Sequence, residues 1–272
     1  MTVSRWATGK VVRDHPFLSA IVALELVFLA LPSLIVLVTS FSGGETLAFP
    51  PESLSVRWYA AIPGASDYIG AFANSIYAAT LCTAIAVPAG VLTAIGLIRY
   101  DVRFKNLTQV YLLLPFTVPL VVSGVILFII FGRLGWLDNI WAVGLALAII
   151  NLPFMLWSVT SSVNGIDPSI ENAAKSLGAE ELQTFVHVTF PQILPGVVTG
   201  ALLMFILGLN EFIVSLFITS SGIYTLPVQL YTSIRGNVSP LIAAVSSVYV
   251  LVAMLAIVVA DRVVGLQRLL HS

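Results

Sequence analysis

Six stretches of the chain are almost uninterruptedly apolar, at about 17–41, 72–98, 107–132, 140–163, 191–219 and 240–264. Each reaches the roughly 20 residues that a helix needs to cross a hydrocarbon core about 30 Å thick. Helix is the spanning form open to them, because lipid offers no partner to an unpaired backbone amide and none of the six shows the alternation of a barrel strand. Arg5, Lys10 and Arg13 precede the first run much as they would precede a signal-peptide core. That run is too long for such a core and has no small-residue cleavage site at a suitable distance, so it is predicted to be retained as a span.

Polar residues between the runs set the predicted orientation. On one side fall Arg5, Lys10, Arg13, Arg99, Arg103, Lys105, Lys175, Arg262 and Arg268, and on the other Arg57, Arg133 and Arg235, nine against three. The excess of positive charge marks the cytoplasmic side, so both termini are expected there. The outer segment from about 42 to 71 carries Glu45, Glu52, Asp67, Pro50-Pro51 and Ser55-Val-Arg-Trp-Tyr59. It reads equally as a structured cap with short helices or as a tether.

Composition narrows the class. Of 272 residues, 58% are hydrophobic and 9% charged, against roughly a quarter charged in an ordinary soluble domain. A soluble protein is excluded. With 12 basic and 13 acidic residues the net charge is −1, which provides no basic face for nucleic acid. The lone Cys82 excludes an internal disulfide or a multi-cysteine metal site, and His15, His187 and His271 are too scattered to form a metal site.

The inner loop at about 164–190 departs from a positive-inside tether, carrying Asp167, Glu171, Glu180 and Glu181 against Lys175 alone. Asn164-Gly165-Ile-Asp167-Pro168 is a turn followed by a helix start: Asp167 can accept from the free first-turn amides, and Pro168 fits the first helical position. The predicted helix runs through Ser169–Leu177 and stops at Gly178. Its Ile170, Ala173, Ala174 and Leu177 recur at three- and four-residue intervals and form one small apolar face. A second helix is predicted over about Ala179–Thr189, with Pro191 and Pro195 marking the start of the fifth span. The first of these helices reads as a surface for another protein, the alternative being an interfacial helix resting on lipid. The lipid alternative is weakened by the lack of basic residues and bulky aromatics on that face.

Here the sequence resembles the membrane subunits of bacterial ATP-binding-cassette importers. Their signature is Glu-Ala-Ala, a Gly six positions after the Glu, and an Ile-x-Leu-Pro ending; this chain has Glu171-Asn172-Ala173-Ala174, Gly178 and Val188-Thr-Phe-Pro191. The spacing is kept, while Asn172, Val188 and Phe190 replace the family's Glu, Ile and Leu. Glu171 lies beside the expected carboxylate but points about 100° away around a helix, so the salt bridge usually made by that Glu is expected to be absent or rerouted. Asn74-Ser75, Pro115-x-x-x-Pro119, Thr225-Leu-Pro-Val-Gln-Leu-Tyr231 and Ser239-Pro240-Leu-Ile-Ala-Ala244 are similar to the spermidine/putrescine type of permease, a group with relatives for opines, aminophosphonates, 4-aminobutyrate and ferric iron.

The resemblance implies an all-α polytopic fold, the type I importer transmembrane domain, with residues 1–272 as a single permease domain in a bacterial inner membrane. It implies that Glu171, Asn172, Ala173, Ala174, Leu177 and Gly178 form the helix that docks in a cytoplasmic ATPase. The implied partners are a second homologous permease, an ATPase dimer that carries the ATP and Mg²⁺, and a periplasmic solute-binding protein; no cofactor is expected on this chain. The implied function is alternating-access import of a small polar solute.

Within the spans, Glu211 and its neighbour Asn210 are costly in lipid unless they face protein or water. Glu211 reads either as a carboxylate lining the substrate path, able to attract an ammonium group, or as a hydrogen-bonded link between helices. Asn151 is a further path candidate. Pro115, Pro119 and Pro153 either break spans around a cavity or kink them for packing. Glu25 is expected to face the partner permease or hydrated surface, and Tyr111, Trp136, Trp141 and Trp157 to be interface or packing aromatics.

No intramembrane protease motif is present, and no GxxxxGK[ST] nucleotide loop, so this chain is expected not to be an enzyme. A secondary transporter or channel is the alternative, but it leaves the 164–190 loop without a purpose.

Overall fold

The computed structural model describes residues 16–219, 222–236 and 238–264. Arg5, Lys10, Arg13 and Arg268 of the orientation argument, and His15 and His271, lie outside them. Among the described residues every regular element is helical, and two compact units are distinguished: residues up to Gly64 with Ser233–Leu251, and Ala65–Thr232 with those from Val252 onward.

The first unit opens with α1 (Pro16–Thr39), a span of 24 residues. The segment after it is a structured cap. Ser42 and Leu54 form an isolated antiparallel bridge, flanked by hydrogen bonds from Gly43 N to Ser53 O (2.8 Å) and from Ser55 N to Phe41 O (2.7 Å). The short helix α2 (Arg57–Ala61) follows. Arg57 and Trp58 both donate to Gly44 O, and Ser40 Oγ and Tyr59 OH share a hydrogen bond of 2.6 Å.

The second unit contains α3 (Ser66–Arg99), which starts six residues before the predicted 72, then α4 (Lys105–Thr117), α5 (Leu120–Leu134) and α6 (Ile140–Asn164). After them come α7 (Pro168–Ser176), α8 (Glu181–Thr184), a π-helical turn (Phe185–Thr189), α9 (Phe190–Asn210), α10 (Ile213–Ile218) and α11 (Leu226–Gly236). The last apolar run is α12 (Pro240–Val264); it and α11 both have residues in each unit, since Ser233–Leu251 falls in the first.

The third predicted span is broken. α4 and α5 meet at a bend of 102°, with Val118 extended (φ −83°, ψ 131°) and Pro119 ahead of α5. The residue before a proline is driven out of the helical region, and Pro119 has no amide to continue the ladder. By contrast α4 runs unbroken through Pro115 and α6 through Pro153, so of the three prolines only Pro119 stands at a break.

α3, α6 and α9 form the core of this unit. Ala78, Cys82 and Ala86 of α3 are fully buried against Val143, Ala146 and Leu147 of α6, with Ile193, Val197 and Met204 from α9. Lipid supplies no hydrophobic drive for helices to associate, so close backbone approach through small residues does the packing. Gly144 shows how close: a Cβ there would lie 2.9 Å from the Leu81 side chain and 3.1 Å from the Ala78 carbonyl.

Candidate functional site: the 164–190 loop and the breaks in the spans

Local chemistry builds α7. Asp167 Oδ1 accepts from Ser169 N at 2.8 Å with Pro168 at the first helical position, and that bond holds the Asp167 carboxyl below the usual carboxylate range. At the other end Gly178 N donates to Lys175 O (3.0 Å) and Ala179 N to Ala174 O (3.1 Å), a Schellman ending that needs the positive φ of +90° found at Gly178.

The helix has two unlike faces. Ile170, Asn172, Ala173 and Leu177 are exposed, Leu177 at 90%, while Ala174 is half-buried. Glu171 is turned inward and only 9% exposed. Its Oε1 lies 2.7 Å from Arg99 Nη2 at the end of α3 and accepts from Thr189 Oγ1 at 2.6 Å. The carboxylate beside the family's Glu position is thus bound inside this chain.

Beyond Gly178, the predicted helix over 179–189 resolves into three parts. A capping box between Glu180 and Gln183 starts α8, the helix widens into the π turn at Phe185–Thr189, and it continues without a break into α9. Tyr100 OH donates to Glu181 Oε1 at 2.5 Å. That hydrogen bond to a carboxylate, and the carboxylate's negative charge, raise the Tyr100 phenol above its ordinary value.

The fifth span ends at Asn210 where an unbroken helix was expected to 219. Glu211 is extended (φ −72°, ψ 128°) and its carboxylate caps α10: Oε1 accepts from Val214 N (2.8 Å), and Oε2 from Ser215 N (3.0 Å) and Ser215 Oγ (3.1 Å). A negative charge at a helix N-terminus satisfies its orphan amides and its dipole together. Apolar content alone cannot show such a break, since Glu211 is followed by Phe-Ile-Val.

The remaining candidates are dispersed. Asn210 is exposed and donates to Ile206 O at 2.9 Å; Asn151 is buried in α6 with its side chain toward Cys82 of α3. Trp136 packs edge-on against Trp141 (centroids 5.2 Å apart) and against Phe131, while Tyr111, Trp157 and Glu25 are exposed. Two contacts were invisible to sequence spacing: Asn74 Nδ2 donates to Tyr224 O (3.0 Å), and Ser75 Oγ accepts from Leu226 N (2.8 Å), the first amide of α11.

Comparison with known proteins adds four findings. Residues 86–268 match the family described as "Binding-protein-dependent transport system inner membrane component". The chain is 28% identical over 257 residues to the spermidine/putrescine transport system permease protein PotC of Escherichia coli (strain K12), covering 94% of this chain and 95% of that one. It is 29% identical over 243 residues to the putrescine transport system permease protein PotI of the same organism, covering 85% of each. Among solved structures, a bacterial ABC transporter that imports the acidic polysaccharide alginate superposes with a TM-score of 0.70 at 17% identity, over 94% of this chain and 98% of that one.

Proposed function

The chain belongs to the binding-protein-dependent transport system inner membrane components, and from that premise we propose that it carries a small cationic, polyamine-like solute into the cytoplasm. It is a multi-pass membrane protein, the permease subunit of an importer rather than an enzyme, with the transmembrane-domain fold of type I importers. Support for the polyamine class comes from the names of PotC and PotI.

α7 is the coupling element in this proposal, docking through Ile170, Asn172, Ala173 and Leu177 against an ATPase that holds the ATP and Mg²⁺. The supporting observation is the exposed apolar face of α7, which a segment between two spans has no reason to keep bare. Both termini lie on the same, cytoplasmic side. A second permease completes the translocation path, and a solute-binding protein delivers ligand from the opposite side. The path runs beside the break in the fifth span, with Asn210 exposed there, Glu211 shaping the break, and Asn151 in the neighbouring span.

The test is purification of the tagged chain from its native host in mild detergent, followed by mass spectrometry of its companions and by uptake in liposomes. An ATPase and a second six-span protein in stoichiometric amounts, with ATP-dependent uptake of labelled spermidine or putrescine, is the expected result. The chain alone moving solute without ATP would establish a secondary transporter or channel instead. Ala173→Trp should leave insertion intact and release the ATPase.

A further inference from the structure

The cap between α1 and α3 turns large apolar side chains outward: Phe49 is 61% exposed, Leu54 76% and Val56 65%. They do not sit on a loose loop. Leu54 is half of the bridge to Ser42, Ser55 N donates to Phe41 O at 2.7 Å, and Gly43 N donates to Ser53 O at 2.8 Å. Farther along, Arg57 Nη2 and Trp58 Nε1 donate to Gly44 O at 2.7 and 3.2 Å, and the Arg57 guanidinium lies over the Trp58 ring, 4.6 Å from its centre. These bonds brace the cap from within and hold its apolar side chains in the open. Braced apolar groups of this kind mark a surface that meets either another protein or a membrane.

The helix before the cap decides between the two. Phe17–Thr39 is 23 residues long with Glu25 as its one charged residue, which makes about 35 Å of helix at 1.5 Å per residue. A mean tilt of about 20° leaves roughly 32 Å across the membrane, against about 30 Å of hydrocarbon. α1 has no length to spare, so Thr39 stands at the edge of the hydrocarbon. Ser42 N donates back to Thr39 O at 3.0 Å, a turn that keeps the two residues within about 7 Å of each other. The headgroup layer is itself about 5–7 Å thick on each side, so Ser42 lies in it with its bridge partner Leu54 alongside. The outward apolar surface of α1 also runs up to the cap without a gap, through Leu37, Val38 and Phe41. Trp58 and Tyr59 are of the residue types that settle at this level. Charge plays no part in the attraction, since the cap sets the exposed Glu45 and Glu52 against Arg57 alone and has no basic cluster for anionic lipid.

We propose that the 41–61 cap is an anchor in the membrane–water interface, laying Phe49, Leu54 and Val56 into the boundary between headgroups and acyl chains while Glu45 and Glu52 stay in water. The partner of this surface is the bilayer itself. The proposal rests on α1 as a membrane span and on nothing about solute, ATPase or second permease, so it and the importer reading can fail separately.

The experiment is nitroxide EPR on the full chain, with the companions that purify with it, in nanodiscs of equimolar phosphatidylcholine and phosphatidylglycerol. Single labels are placed through Phe49→Cys, Leu54→Cys and Val56→Cys, with Glu45→Cys and Glu52→Cys as controls. Cys82 is fully buried, and the unsubstituted chain should take up no label. All five positions are exposed, so each variant should elute as the wild type. Power saturation by oxygen, which concentrates in lipid, and by a water-soluble nickel chelate gives the depth of each label. Labels at 49, 54 and 56 are expected about 5–10 Å inside the headgroup boundary, those at 45 and 52 in water, with the same depths at low and high salt. Labels at 49 and 54 that meet the nickel chelate as freely as those at 45 and 52 would put the cap in water and overturn the proposal. Shielding of 49 and 54 from both reagents would put them against protein, a second permease or a solute-binding protein, and overturn it as well. A depth lost at high salt would make the contact electrostatic and refute apolar insertion.

Discussion

Removing the Glu171 carboxylate should loosen α7 without unfolding the spans. Glu171→Ala deletes a charge-assisted hydrogen bond from Thr189 at 2.6 Å and an ion contact with Arg99 at 2.7 Å. A hydrogen bond to a charged group is worth about 1.5–3 kcal/mol. Stranding the partner of a buried pair costs about 3–5 kcal/mol. The Arg99 side chain is 23% exposed, so water compensates part of its lost partner, and the net effect lies near about 2 kcal/mol. That corresponds to a roughly 30-fold larger population of the undocked loop. Hydrogen exchange followed by mass spectrometry on peptides spanning 168–178 reads this population directly, because amides held by α7 exchange through its local opening. The expected result is about 30-fold faster exchange there, with the peptides of α3 and α6 unchanged, and less than twofold in the exposed control Asn172→Ala. In Arg99→Ala/Glu171→Ala the two effects should be less than additive, since each single change already breaks the pair. Exchange within twofold of wild type, or full additivity, refutes the assignment of Glu171 as the inward anchor.

Three further perturbations follow from the geometry. Gly178→Val forces a β-branched residue to φ +90° where no atom lies within 4 Å of a Cβ, so the cost is backbone alone, about 1–2 kcal/mol, read as roughly tenfold faster exchange at the end of α7. Gly178→Asn, which tolerates that region, should restore most of the protection. Glu211→Gln places an amide donor where Oε1 or Oε2 now accepts, opposing Val214 N or Ser215 N; a loss of about 1–3 kcal/mol in detergent-melt stability is expected, and an unchanged melt would remove Glu211 from its capping role. Glu181→Gln should bring the Tyr100 phenol back down toward its ordinary value in a tyrosine-labelled NMR titration. Because that phenol is raised in the folded chain, the stability it contributes is fully present below the unfolded tyrosine value of about 10 and is lost as pH rises through the higher folded value; a Tyr100 titration identical in both proteins would show that the contact does not form.

What sequence could show was local. The Asp167-Pro168 start and the Gly178 stop of α7 depend on neighbours within a few residues, and the structure places α7 at Pro168–Ser176. The break in the third span falls at Pro119, one of the prolines for which sequence left a break or a kink open, because proline acts on the residue before it; Pro115 lies within α4. The pairing of Arg99 with Glu171 could not be read, since it depends on where α3 ends in space. In the sequence Arg99 is only one of the basic residues that set the orientation. The end of α9 was hidden for another reason. A carboxylate in an apolar run reads as a cost to be explained, and its actual work, accepting from Val214 and Ser215, is visible only once the backbone has turned.

The inward carboxylate of Glu171 decides how a push on α7 would travel under the proposed coupling. Glu171 touches both Arg99, the last residue of α3, and Thr189, the last residue of the π turn before α9. One side chain therefore fastens the loop helix to two of the three helices that form the core of its unit. A π turn is wider and less well bonded than an α turn and is where a continuous helix yields first. The Thr189–Glu171 bond spans that weak point and ties its far end back to α7. Under that proposal a force applied at Leu177 would be delivered to α3 and α9 together as a rigid-body displacement rather than absorbed by bending at Phe185–Thr189. With Glu171 turned inward and neutral Asn172 outward on the same helix, the buried carboxylate serves the lever itself, and the contact left for a partner is made by Ile170, Ala173 and Leu177 with Asn172 beside them.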